Sequence, residues 1–144
     1  METETEAALG TSLPFSVKPI VFFPGVQERG VNPRKEHNRF EALEVALEAV
    51  REVAAVEKLV SDSDLARQMR RAVVSVALNL AEGNRRRGRD RLQLFRVAAG
   101  SADEVVTALR IAGALGSVSA GQSAPALALL DRVLAMTWRL TRGR

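Results

Sequence analysis

The stretch QMRRAVVSVALNLAEG, residues 68–83, limits what this chain can become more than any other part of it. Met69, Ala72, Val73, Val76 and Leu80 recur at three- and four-residue intervals, which puts them on one side of an α-helix. Leu65 lengthens that side by a turn, and Val74, Ala77, Leu78 and Ala81 carry apolar character around most of the circumference. So wide an apolar surface is too large for one neighbour to cover. The segment requires burial on two sides, by a core and by a further contact such as an adjoining subunit.

Three more segments share the period. Phe40, Leu43, Leu47, Val50 and Ala54 trace one stripe, widened by Val53, Val56 and Val60, and predict a first helix over about residues 36–59. The second helix, about 63–87, follows Ser61, Asp62, Ser63 and Asp64, which supply caps and acidic first-turn residues. A third, about 89–114, turns Leu92, Phe95, Ala99, Ala102, Val106 and Leu109 inward and ends at Gly113 and Gly116. Ser123 is the expected cap of the fourth, with Pro125 in its first turn. Its stripe is Leu127, Leu130, Leu134 and Trp138, with Val133, Met136 and Leu140 beside it. Four such helices with short connections pack most simply as an all-α, antiparallel up-down-up-down four-helix bundle.

Residues 1–35 differ. Pro14, Pro19, Pro24 and Pro33, with Gly10, Gly25 and Gly30, interrupt any helical period, and predict a largely flexible extension ahead of a bundle domain at 36–144. Its apolar run Ile20-Val21-Phe22-Phe23 is open to two readings, a piece docked on the domain or part of a disordered arm; the segment could also precede the true start of translation. The acidic opening METETEAALG lacks the layout of a signal peptide, and no apolar run approaches the roughly 18 residues that span a bilayer. A cytoplasmic protein is the expectation.

Charge is distributed unevenly. Arg67, Arg70, Arg71, Arg85, Arg86, Arg87, Arg89, Arg91 and Arg96 crowd residues 67–96, opposed there only by Glu82 and Asp90. The first helix carries Glu36, Glu41, Glu44, Glu48, Glu52 and Glu57 instead. Lysine occurs only at Lys18, Lys35 and Lys58, and guanidinium suits the forked geometry of phosphates and carboxylates better than ammonium does. Arg85, Arg86, Arg87, Arg89 and Arg91 fall where two helices meet and would coat a tip that meets a phosphate backbone from several directions, with Arg67, Arg70 and Arg71 extending the track by one or two turns. A solvated tip paired with the acidic helix of a neighbour is the alternative. Phe95 and Trp138 sit at core spacing, so base stacking is not expected.

Ser75, Asn79, Glu82 and Arg86 recur at four, three and four residues along one helix side. The stripe would either hydrogen-bond a ligand or a subunit, or form a structural network tying Asn79 and Glu82 to Ser101 or an arginine on the third helix. Asp103 and Glu104 are adjacent and diverge in direction, so they make no acid pair. Cysteine is absent and His37 is the only histidine, which leaves no thiolate zinc site, Glu-x-x-His di-iron set or histidine-based triad. No phosphate-binding or dinucleotide-binding glycine loop is present. No enzyme activity, cofactor or metal is expected.

FEALEVA at 40–46, QMRRAVVSVALNLAEG at 68–83 and AAGSADEV at 98–105 resemble a family of four-helix bundles encoded in intervening sequences of bacterial large-subunit ribosomal RNA genes. Gln68, Arg70, Arg71, Ala72, Ser75, Asn79, Ala81, Glu82, Gly83, Gly100, Ser101 and Glu104 stand at matching positions over about residues 36–142. The resemblance implies an antiparallel bundle assembling as a homopentameric ring, and no enzyme activity. The family also includes accessory proteins of diversity-generating retroelements, so it implies two kinds of partner: RNA or other nucleic acid at a basic surface, or a reverse transcriptase or other protein docked on a scaffold. Ala46 and Ala49 depart from the family pattern, which commonly has aromatics there.

Overall fold

The computed structural model describes residues 40–142. The segment 1–35, His37 and the expected first residues of the first helix lie outside the described residues. Four helices and no strands occur among the described residues: α1 (Glu41–Glu57), α2 (Ser63–Arg85), α3 (Gly88–Ala114) and α4 (Ala120–Thr141). Each helix packs on its chain neighbours and α4 closes on α1, whereas no Cα atoms of the diagonal pairs α1/α3 and α2/α4 come within 8 Å of each other. The connections 58–62, 86–87 and 115–119 are too short to cross the bundle, so consecutive helices run antiparallel. One end therefore gathers the start of α1, the 86–87 turn and the end of α4. At the other, Ser61 Oγ and Ser117 Oγ hydrogen-bond at 3.0 Å and join the two remaining loops.

The caps fix where the helices begin. Asp62 Oδ1 accepts from the backbone N–H of Asp64 and of Leu65, at 2.9 and 3.0 Å, and starts α2. The fourth helix begins earlier than its sequence suggested. Ser119, not Ser123, is the cap: Ser119 Oγ accepts from Gln122 N at 3.3 Å while Ser119 N donates to Gln122 Oε1 at 2.8 Å, a reciprocal capping box. Ser123 lies inside the helix and donates back to Ser119 O and Ala120 O. Pro125 consequently falls in the second turn, beyond its expected place. The second helix stops two residues early, because Arg86 and Arg87 are extended (ψ 171° and 162°). Gly88 then adopts φ +60°, a left-handed conformation suited to glycine, and α3 starts there.

The core confirms the inward face of α2: Met69, Ala72, Val73, Val76 and Leu80 are buried, and Val74 and Leu78 face out. In α1 the stripe is rotated from its expected position. Ala42, Val45, Ala46, Ala49, Val53 and Val56 are buried, whereas Leu47 is 39% exposed and Ala54 is exposed. Two apolar stripes interleave in this helix. The small one faces inward because α1 approaches α2 and α4 together, and Phe40, Leu43 and Val50 pack at its margins. In α3 the inner line is Phe95, Ala98, Ala102, Val105, Leu109 and Ala112. In α4 it is Ala126, Leu130, Val133 and Thr137, whose Oγ1 donates to Val133 O and Leu134 O. Trp138 is displaced from the core it was expected to join.

At Gly83, α2 and α3 approach each other closely. A Cβ at Gly83 would stand 2.8 Å from the Phe95 ring and 3.2 Å from Leu94 Cβ. Phe95 is fully buried and stacks on Phe40 with ring centroids 5.8 Å apart. Gly83→Ala is expected to lower stability by a net of about 1–2 kcal/mol, overpacking outweighing the gain in helix propensity. Gly100→Ala, whose Cβ meets nothing within 4 Å, is expected to raise stability by roughly 0.5–1 kcal/mol. Urea denaturation of both variants measures the contrast.

Candidate nucleic-acid interface

The 86–87 turn presents the arginines by its backbone. Arg85 ends α2, Arg86 and Arg87 are extended, and Arg89 and Arg91 follow in the first turn of α3. Successive extended residues point to opposite sides, so the side chains fan out. Arg85, Arg86, Arg87 and Arg89 are all exposed. Arg87 precedes α3 without a side-chain cap, which leaves the first amides of that helix, its positive dipole end, facing the same tip.

The arginines divide by partner. Arg70 grips Glu57 of α1 through two contacts, Nε to Oε2 at 3.0 Å and Nη2 to Oε1 at 2.8 Å. That hydrogen bonding, then the charge of Glu57, raises the Arg70 guanidinium above its ordinary pKa. Arg67 pairs with Asp64, Arg86 with Glu82 at 2.8 Å, and Arg91 lies over the Phe95 ring, 5.1 Å from its centroid. Among the described residues, Arg71, Arg85, Arg87 and Arg89 have no carboxylate within ion-pair distance. The expected continuous track is also interrupted. Fourteen residues separate Arg71 from Arg85, about 21 Å along the helix, so Arg67, Arg70 and Arg71 belong to the opposite half of α2.

The polar stripe divides as well. Ser75 Oγ and Ser101 Oγ hydrogen-bond at 2.8 Å between α2 and α3, and Asn79 Nδ2 donates to Ser75 O at 2.8 Å and Ser75 Oγ at 3.1 Å. Gln68 donates to Glu104 across the same helix pair. Glu82 does not join them, contrary to the structural-network expectation: it is exposed and pairs with Arg86, the residue just beyond the end of its own helix.

Leu78 is 64% exposed and, with Ala81, Glu82, Arg85 and Arg86, lines an open concavity of about 740 Å³ on the outer face of α2. Another groove, between α3 and α4, contains Trp138, whose exposure sequence spacing missed because Thr137 takes the neighbouring inward position. Among the described residues, no cluster of His, Cys, Asp or Glu could hold a metal ion, and no helix is long and apolar enough to cross a membrane.

The family model described as 23S rRNA-intervening sequence protein matches residues 38–139. The chain belongs to that family. The 23S rRNA-intervening sequence match takes in every arginine of the cluster, the Ser75–Ser101 link and Trp138. A crystal structure of a protein of unknown function from the S23 ribosomal protein family of Bacteroides thetaiotaomicron has the same fold, with a TM-score of 0.64 at 14% identity, covering 71% of this chain and 99% of that one. No curated protein matches the chain.

Among the polar residues, those that join helices are the ones expected to support stability. Ser75→Ala, which unpairs Ser101 and leaves Asn79 only the backbone carbonyl of residue 75, is expected to cost about 1 kcal/mol. Glu82→Ala, which removes an exposed pair, is expected to change stability by less than about 0.5 kcal/mol. Chemical denaturation of the two variants distinguishes them.

Proposed function

We propose that this protein is a non-enzymatic, cytoplasmic homo-oligomer, a ring of five, that binds structured RNA through its phosphates. The observation that carries this reading is the cationic tip, where Arg85, Arg87 and Arg89 stand exposed without a carboxylate partner among the described residues. Arginines already neutralised by an acid have less to offer a phosphate, so Arg67 and Arg70 are secondary. α1, with Glu41, Glu44 and Glu48 exposed, lies diagonally across the bundle from α3 and turns RNA toward the arginine side. Repetition of one tip around a ring raises avidity without requiring tight single-site contacts. Val74 and Leu78, apolar and exposed on α2, suit the contact between copies.

Arg85, Arg87 and Arg89 changed together to Gln are expected to weaken capture of a labelled structured RNA more than tenfold at moderate salt. The log–log salt slope should flatten by about 2–3, one phosphate contact per arginine. Arg67 and Arg70 changed together should alter it little. A folded oligomer that ignores RNA at low salt would overturn the reading in favour of a protein partner. Leu78→Glu is expected to reduce the assembly from five copies to one by native mass spectrometry, with the helical circular-dichroism signal retained.

A further inference from the structure

The arginine end carries an aromatic surface that phosphate binding leaves unused. Trp138 is 56% exposed, and Arg142 lays its guanidinium over the indole, 3.6 Å from the ring centroid. The indole borders an open groove of about 530 Å³, whose other walls include Arg96, Ala99, Gly100, Asp103 and Leu134. Trp138 stands one turn from the end of α4, which the antiparallel order brings to the same end of the bundle as the 86–87 turn. Arg89 and Arg96, seven residues apart on α3, share a helix face about 10 Å apart along the axis. They form a cationic edge leading from the tip to the groove.

We propose that this groove receives an unpaired nucleobase, stacked on Trp138, from a single-stranded segment of the RNA whose phosphates the arginines hold. The assignment rests on the RNA-binding reading above and narrows its substrate to RNA with unpaired bases. Indole rings and guanidinium planes both stack on bases, and they do so for every base because each has a π-face. Arg142 already forms such a pile with the indole, and a base extends it. Asp103 decides which part of the nucleotide enters. Its carboxylate repels phosphate and accepts hydrogen bonds from an exocyclic amino group, so the base goes in and adenine, cytosine and guanine are favoured over uracil. Arg96 is left to meet the adjoining phosphate. Gly100 keeps the space open, since a Cβ there meets nothing within 4 Å. A duplex keeps its bases stacked and paired, and has to unpair one before it can use the groove.

Trp138 is the only tryptophan and tyrosine is absent, so intrinsic emission reports this groove alone. The full-length protein is titrated with oligo(A), oligo(U) and a blunt RNA duplex of equal phosphate number. Oligo(A) is expected to quench the emission, oligo(U) to bind more weakly, and the duplex to bind without quenching. By anisotropy of labelled RNA, Trp138→Ala should weaken oligo(A) binding about 5- to 100-fold and leave duplex affinity unchanged. Gly100→Leu, which fills the groove and retains the indole, should abolish the quench and weaken oligo(A) alone. Trp138→Phe should restore part of the loss. Saturation without quenching, or equal weakening of both RNAs, would overturn the groove assignment while leaving arginine-dependent RNA binding standing. Failure to bind any RNA would overturn both.

Discussion

The contact between Gly83 and Phe95 governs the geometry of the basic end. Any side chain at Gly83 would intrude on the Phe95 ring, so α2 and α3 are held close beside the turn. The same ring is stacked by Phe40 at the entrance to α1 and crossed by Arg91. One buried aromatic thus ties three segments of the chain and closes the core beneath the arginines. With the helices so near, two extended residues suffice to reverse direction, and those residues are Arg86 and Arg87.

Much of the fold was legible because the apolar period is long and regular, above all in α2. The face of α1 was misread for a physical reason: two apolar stripes run through it, and spacing alone does not tell which one touches two neighbours. Tertiary packing favours the Ala and Val stripe. The start of α4 was misplaced although its signal was present, since Gln122 three residues after Ser119 marks a capping box better than Ser123 does. Trp138 falls at core spacing, four residues after Leu134, yet lies outside the core. Thr137 displaced it because its hydroxyl can be satisfied by carbonyls of its own helix, which makes it an acceptable buried residue.

The candidate site was legible as a composition and not as a geometry. A run of arginines is visible to anyone who counts charge. Which of them remain available depends on acids brought close by folding, and Glu57 reaches Arg70 only because α1 packs on α2. The central polar stripe shows the same limit. Ser75 bonds across to α3 and holds Asn79 beside it, while Glu82, one turn on, is exposed and pairs with Arg86 instead.

Parity has a last consequence. A chain that crosses a bundle an even number of times returns to the end from which it set out, so Phe40 and Arg142 both belong to the arginine end. Anything joined directly at Phe40 or at Arg142 is delivered beside that surface, where a bulky fusion would obstruct it and a tethered effector would be well placed. The 58–62 and 115–119 loops lie at the far end, braced by the Ser61–Ser117 hydrogen bond. They are the natural sites for reopening the chain as a circular permutant, with both new termini facing away from the arginines.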